Sequence, residues 1–368
     1  MTRRERMLAA LRQRQVDRLP FCTYNLHPYG RSEHAQDPSY RELLALVEAK
    51  AGIYCKCSVR TVRPKDDPRA ALRTTQVVDD GEQRVATTIL HTPKGDLRSV
   101  VVTPRNQPSM EIEHFIKTDT DIERYLSLPW DPPEYDIASL VALEQELGDR
   151  GIIAVAYSDP MYATAALFDF EDFCVRCLTQ RDSLRRLMDH LSEQIAEETR
   201  RKVAACRGHD LVFLTSGPEV ATPPMLPPAL FRELVVPYQK RLTEIIHEAG
   251  FLVMVHCHGR VRQVLDYIIE MGADALEPIE PPPQGDIGLA ELLKRTRGRL
   301  ALMGHVQDQE FHTAAPGTMT RRVEEIARIA RGATGYIMSP TCTPFQHPAS
   351  PTFLRNYTEW LEAAARIL

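Results

Sequence analysis

Short apolar runs rich in β-branched residues alternate along this chain with longer stretches whose apolar positions recur at helical spacing. The runs fall at Leu19–Tyr24, Gly52–Lys56, Gly151–Tyr157, Asp210–Thr215, Phe251–His256, Ala273–Glu277, Arg299–Met303 and Thr334–Met338. Helical patterns occupy Leu184–Ala205, Ala229–Ala249, Val261–Met271, Leu289–Thr296 and Thr320–Ile329 between the later runs. Strands that alternate with helices are parallel strands joined by crossovers. Eight such units predict an α/β chain folded as a closed (β/α)8 TIM barrel. The competing open sheet would carry a Gly-rich turn after a strand, and none is present.

Thr74–Pro104 breaks the alternation. Asp80-Gly81 and Lys94-Gly95 are turn signals between strand-like runs, so the segment predicts an antiparallel β-hairpin insert after barrel strand two. It is too short for a core of its own, and the expectation is one barrel over residues 1–368 with the insert at 74–104. At the N-terminus, Thr2 and Glu5 fit a capping box. The apolar run Met7–Leu11 is too short for a signal segment, so a cytoplasmic protein is expected.

Composition narrows the function. The 368 residues are 43% hydrophobic and 26% charged, ordinary for a globular chain. No run approaches the length of a membrane-spanning helix. The net charge of −5 argues against nucleic acid, which needs a basic face. Eight cysteines in so long a chain do not make a disulfide framework. The expected partner is a small-molecule substrate, with a homodimer as a possible assembly.

In a barrel of this kind the chemistry sits at the C-terminal strand ends. There the sequence delivers Asn25 and His27, Cys55 and Cys57, Tyr157 and Asp159, Ser216 and Glu219, His256-Cys257-His258, Glu277, His305 with Gln307 and Asp308, and Cys342. Side chains alternate along a strand, so His256 and His258 share one direction and Cys257 takes the other. Two imidazoles with Glu277 and Cys342 from neighbouring strands suit a first-row metal, and Zn2+ accepts N, O and S ligands together. The bland alternative is a buried strand end with hydrogen-bonded histidines.

Several stretches resemble the uroporphyrinogen decarboxylase superfamily. They are Phe251–Gly259, Gly272–Pro278, Leu302-Met303-Gly304, Gly335–Pro340, Ser216–Glu219 with Pro223-Pro224, and the opening Arg3 to Pro20. The resemblance implies a (β/α)8 barrel. Decarboxylases of this superfamily carry an Arg-Gln-Ala-Gly-Arg-like stretch after strand one and use no metal. This chain has Cys22-Thr-Tyr-Asn-Leu-His-Pro-Tyr29 there instead. The other branch holds zinc methyltransferases that act with methyl-corrinoid proteins and thiols. They carry His-x-Cys after strand five and a Cys after strand eight. By that resemblance His256 matches the His, His258 takes the place of the first Cys, and Cys342 matches the last. Glu277 corresponds to a Glu of the more distant cobalamin-independent methionine synthases.

Three readings follow. The first is a zinc-dependent methyltransferase moving a methyl group between a small substrate or thiol and a separate corrinoid protein. Its metal ligands would be His256, His258, Glu277 and Cys342, with Glu277 displaceable. Tyr24, Tyr29, Tyr157, Tyr162 and Phe345 would line its pocket. The second is a metal-independent decarboxylase in which Asp159, Glu219, Tyr162 and His305 move protons and stabilise charge. The third is a barrel that binds without catalysing.

Overall fold

Eight parallel strands are β1 (Cys22–Tyr24), β2 (Gly52–Cys57), β3 (Gly151–Tyr157), β4 (Val212–Ser216), β5 (Leu252–His256), β6 (Ala275–Ile279), β7 (Ala301–Val306) and β8 (Tyr336–Pro340). They neighbour one another in chain order. A parallel bridge between Phe21 and Met338, with the Met338 N–H donating to Pro20 O at 3.0 Å, joins the last strand to the first. The sheet is therefore the expected barrel. This computed structural model describes residues 1–30, 32–63, 67–105 and 109–368.

Two apolar layers follow from the strand alternation. Cys22, Tyr54, Ile152, Val212, Leu214, Met254, Ala275, Ala301, Met303 and Ile337 fill the barrel interior. A larger cluster packs between the barrel and its helices. Helix α1 (Arg3–Leu11) begins at the Thr2–Glu5 capping box and presses Met7, Leu8 and Leu11 into the interior layer. A Cβ on Gly52 would lie 2.8 Å from Met7 Sδ, so glycine at the start of β2 makes room for this plug. Each such side chain buried adds about 1.5–3 kcal/mol as an upper bound. With the floor closed by α1, the open end is the one where the strands finish.

The insert lies between β2 and β3 as expected and is larger than 74–104. Strands Arg73–Asp79, Gln83–Thr92 and Gly95–Pro104 are joined by a fourth, Met110–Glu113. A two-stranded ribbon, Arg60–Val62 with Glu134–Asp136, accompanies it. The helical pattern Ala229–Ala249 is two helices, Pro228–Leu234 and Val236–Glu248. Pro237 in the first turn of the second lacks the N–H that would continue the first. No helix among the described residues is long and apolar enough to cross a membrane.

Candidate functional site

His256 and Glu277 are register partners on β5 and β6. Two residues earlier on each strand, Met254 and Ala275 belong to the interior layer. Period 2 then turns both functional side chains inward, at the rim. His256 Nδ1 lies 3.0 Å from Glu277 Oε1. Cys257 faces the outer cluster and is fully buried, which is the direction that the alternation predicts.

The sequence reading missed the residue that balances this pair. Lys56, near the end of β2, places Nζ 3.0 Å from Glu277 Oε1. The ammonium also donates to the Tyr24 hydroxyl and stands 4.0 Å above that ring. Tyr54 donates to the same Glu277 oxygen at 3.2 Å, and Tyr24 Oη lies 3.0 Å from His256 Nδ1. Asn25, with φ of 52°, accepts from the Lys56 N–H at 2.9 Å and anchors the strand end. A signal for Lys56 was present: it shares parity with the interior residue Tyr54, and a lysine pointing into a barrel calls for an anion. Cys55 and Cys57 on either side of it pack outward.

Glu277 is completely buried. Burial alone would raise its pKa, but Lys56 and His256 outweigh that and hold it at about 2. An ionised carboxylate can only accept hydrogen bonds, so in this contact His256 Nδ1 is the donor. Glu277 Oε2 is buried with no hydrogen-bond partner. His258 repeats the arrangement one step outward. Its Nδ1 lies 3.3 Å from Glu280 Oε1, and Glu280 also accepts from the Gly259 N–H at 2.7 Å. Burial lowers the His258 pKa, Glu280 raises it, and the net shift is upward. The two rings are 4.6 Å apart, edge to face. Cys342 is a free thiol just past β8, pushed up to about 11 chiefly by burial. Its thiolate form, like the Glu277 carboxylate, would raise Tyr24.

The donor chemistry suits zinc: two imidazoles whose Nδ1 atoms are held by carboxylates, as metal-binding histidines usually are, and a nearby thiol. Among the described residues, however, no three His, Cys, Asp or Glu side chains stand close enough together to hold a metal ion. Glu277 Oε1 is engaged by Lys56, Tyr54 and His256.

The other expected residues are more scattered. Asp159 caps the helix Pro160–Ala165 by accepting from the Tyr162 N–H at 2.7 Å, and it also accepts from Gln239. Burial raises it to about 6. Glu219 accepts from the Gly217 N–H at 3.0 Å, and its charge acts on both Asp159 and His258. Tyr162 is half exposed. His305, at φ of 81°, lines a pocket with Pro281, Pro282, Pro283, Gln307 and Arg322. Its pKa is lowered to about 4 by burial and then by Arg322. Its Nε2 is buried without a hydrogen-bond partner. Tyr29 turns to Glu48, Tyr157 packs in the outer cluster and Phe345 is exposed. Tyr24 alone of the five expected aromatics touches the His256 group. The Ser216 side chain lies outside the described residues.

Comparison with known proteins places this geometry. A methyltransferase from Methanosarcina mazei superposes with a TM-score of 0.60 at 18% identity, over 100% of this chain and 99% of that one. A B12-independent methionine synthase from Shewanella sp. W3-18-1 gives a TM-score of 0.42 at 15% identity, over 76% and 74%. These likenesses concern the fold. No curated protein sequence matches. Residues 99–354 match the family model of uroporphyrinogen decarboxylase (URO-D). That span runs from the insert through β3–β8 and includes His256, Glu277 and Cys342, and the chain belongs to the uroporphyrinogen decarboxylase family.

Proposed function

We propose that the chain is a zinc-dependent methyltransferase, moving a methyl group between a small substrate or thiol and a separate corrinoid protein. The observation that carries this is the pair His256 and His258, each fixed through Nδ1 by a carboxylate, which leaves the Nε2 atom of each ring as its remaining donor. The superposition with a methyltransferase over the whole chain is compatible with it. Nε2 of both histidines and the thiolate of Cys342 would be the ligands in this reading, and Cys342 would have to draw toward the two rings, since no three such side chains stand together among the described residues. Glu277 orients His256 through Oε1 and is kept anionic by Lys56, and its unpartnered Oε2 would be the exchangeable ligand. When bound, the zinc would supply Lewis acidity, holding a thiol as thiolate or drawing charge from a substrate oxygen.

This chain's own residues do the rest. Lys56 and Tyr24 stand beside His256 with protons to give. Burial first, then the charge of Glu277, raises Tyr24 well above the ordinary phenol range, so the hydroxyl stays a donor at neutral pH. A leaving oxygen near His256 can take a proton from Tyr24 Oη, and Lys56 Nζ can replace it.

Metal analysis of the purified protein after zinc supplementation tests the reading. About one zinc per chain is expected for a site with three protein ligands. Cys257→Ser should retain it, while His256→Ala and Cys342→Ser should lose most of it. A wild-type chain that takes up no zinc, or one in which Cys257→Ser loses it and Cys342→Ser does not, refutes the assignment.

A further inference from the structure

The insert sheet leaves its first strand, Arg73–Asp79, at an edge. All seven residues are exposed. On one side the strand pairs continuously with its neighbour, from Arg73 opposite Leu90 to Asp79 opposite Arg84. No strand among the described residues pairs with it on the other side. Edges are ordinarily blunted by charged residues, proline, a bulge or short length; this strand carries charge only at its two ends, Arg73 and Asp79.

The direction of its free backbone groups follows from the hairpin. The Asp80 N–H donates to Gln83 O at 3.3 Å. In an antiparallel pair hydrogen-bonded positions alternate, so the even-numbered residues bond to the neighbouring strand. Arg73, Thr75, Val77 and Asp79 then turn their N–H and C=O groups outward. The hydroxyls of Thr75 and Thr88 approach to 3.1 Å, as side chains do in the closer, non-hydrogen-bonded pairs.

We infer that this edge pairs with the same edge of a second copy of the chain, antiparallel about a twofold axis at Gln76. The segment Arg-Thr-Thr-Gln-Val-Val-Asp complements its own reverse. Arg73 of one copy meets Asp79 of the other at both ends. Thr75 meets Val77 and Thr74 meets Val78, the β-branched pairs that favour sheets. Every outward-facing residue meets another outward-facing residue, allowing about eight backbone hydrogen bonds across the junction. A register shifted by one residue would lose the ionic match at both ends.

The sheet face agrees. Val78, Val85, Val102 and Met110 form one apolar row across the four strands. Val78 and Met110 are 57% and 50% exposed. In the paired arrangement this row continues onto Thr74 and Ile89 of the second copy. The assembly closes at two, because an isologous contact uses the same edge on both copies. The opposite edge, Met110–Glu113, has four residues and a register shift where it joins the sheet.

Sedimentation of the full-length protein, with charge reversal, tests the pairing. The wild type should sediment as a dimer. Arg73→Asp sets carboxylates against each other at both ends and should weaken the dimer about 10-fold or more. The double variant Arg73→Asp/Asp79→Arg restores opposite charges and should restore the dimer. Asp79 also accepts from the Gly81 N–H at 2.9 Å, so rescue by the double variant separates pairing from damage to the turn. Gln76→Cys adds a geometric test, since two non-hydrogen-bonded partners stand about 4.5 Å apart at Cα, within disulfide range. With oxidised glutathione as acceptor of the two electrons and two protons, the two thiols should join as a disulfide dimer. Thr74→Cys should not. A wild type that stays monomeric at about 100 µM, as it would if a different protein covered the edge, overturns the inference. So does a dimer indifferent to Arg73→Asp, or cross-linking through Thr74→Cys as fast as through Gln76→Cys.

Discussion

Lys56→Met removes the ammonium that faces a completely buried carboxylate. In the folded protein Glu277 is held near 2 against an ordinary 4.5, with burial opposing and Lys56 and then His256 prevailing. A carboxyl depressed on folding contributes stability that is fully present above its unfolded pKa, here 4.5, and is lost as pH falls through about 2. At about 1.36 kcal/mol per unit, that contribution is about 3 kcal/mol at neutral pH. Without Lys56, burial is opposed chiefly by His256 alone, and the Glu277 pKa rises. Removing one member of a buried pair typically costs about 3–5 kcal/mol, a large part of a total that is ordinarily about 5–15 kcal/mol. The assay is urea unfolding of chelator-treated wild type, Lys56→Met, Glu277→Gln and the double variant at pH 7. Lys56→Met should be the worst, and the double variant should cost about 2–3 kcal/mol less than the sum of the singles. The penalty of Lys56→Met should also shrink toward pH 5, where Glu277 protonates more readily. A loss under about 1 kcal/mol with additive singles would refute the ion-pair account.

Asp159 titrates in the opposite sense. Its folded pKa of about 6 lies above the ordinary 3.8, so the folded state binds the proton more tightly and stability declines as pH rises from about 4 to 6. Asp159→Asn keeps an acceptor for the Tyr162 N–H and should gain about 1–2 kcal/mol at pH 7.5 while flattening that slope; a loss at pH 7.5, where the wild-type group is ionised, would show that the charge is needed. Met7→Ala opens a cavity under the barrel and should cost about 2–5 kcal/mol in urea unfolding, whereas a cost under about 1 kcal/mol would mean that α1 does not close the floor.

Periodicity alone determined the barrel. Eight apolar runs with helices between them admit few other parallel arrangements, and the runs lie within about three residues of the observed strands because burial on both faces leaves a continuous apolar signature. The inward aim of His256 and the outward aim of Cys257 were equally legible, because alternation is a local property of extended backbone. The insert was visible through its turns, but its fourth strand was not: Met110–Glu113 is short, and what makes it a strand is pairing with Val100, Val101 and Val102. The partners of the rim side chains belonged to the tertiary structure as well. Lys56 and Glu277 are 221 residues apart in the chain and 3.0 Å apart in space, joined because β2 and β6 both send inward side chains to the same closed rim. His305 shows the converse, a strand-end residue that its left-handed backbone turns into a pocket with Pro281, Pro282, Pro283 and Arg322. Local pattern fixes which way a side chain leaves its own strand, while closure of the sheet and the path of the following loop decide which charges it meets.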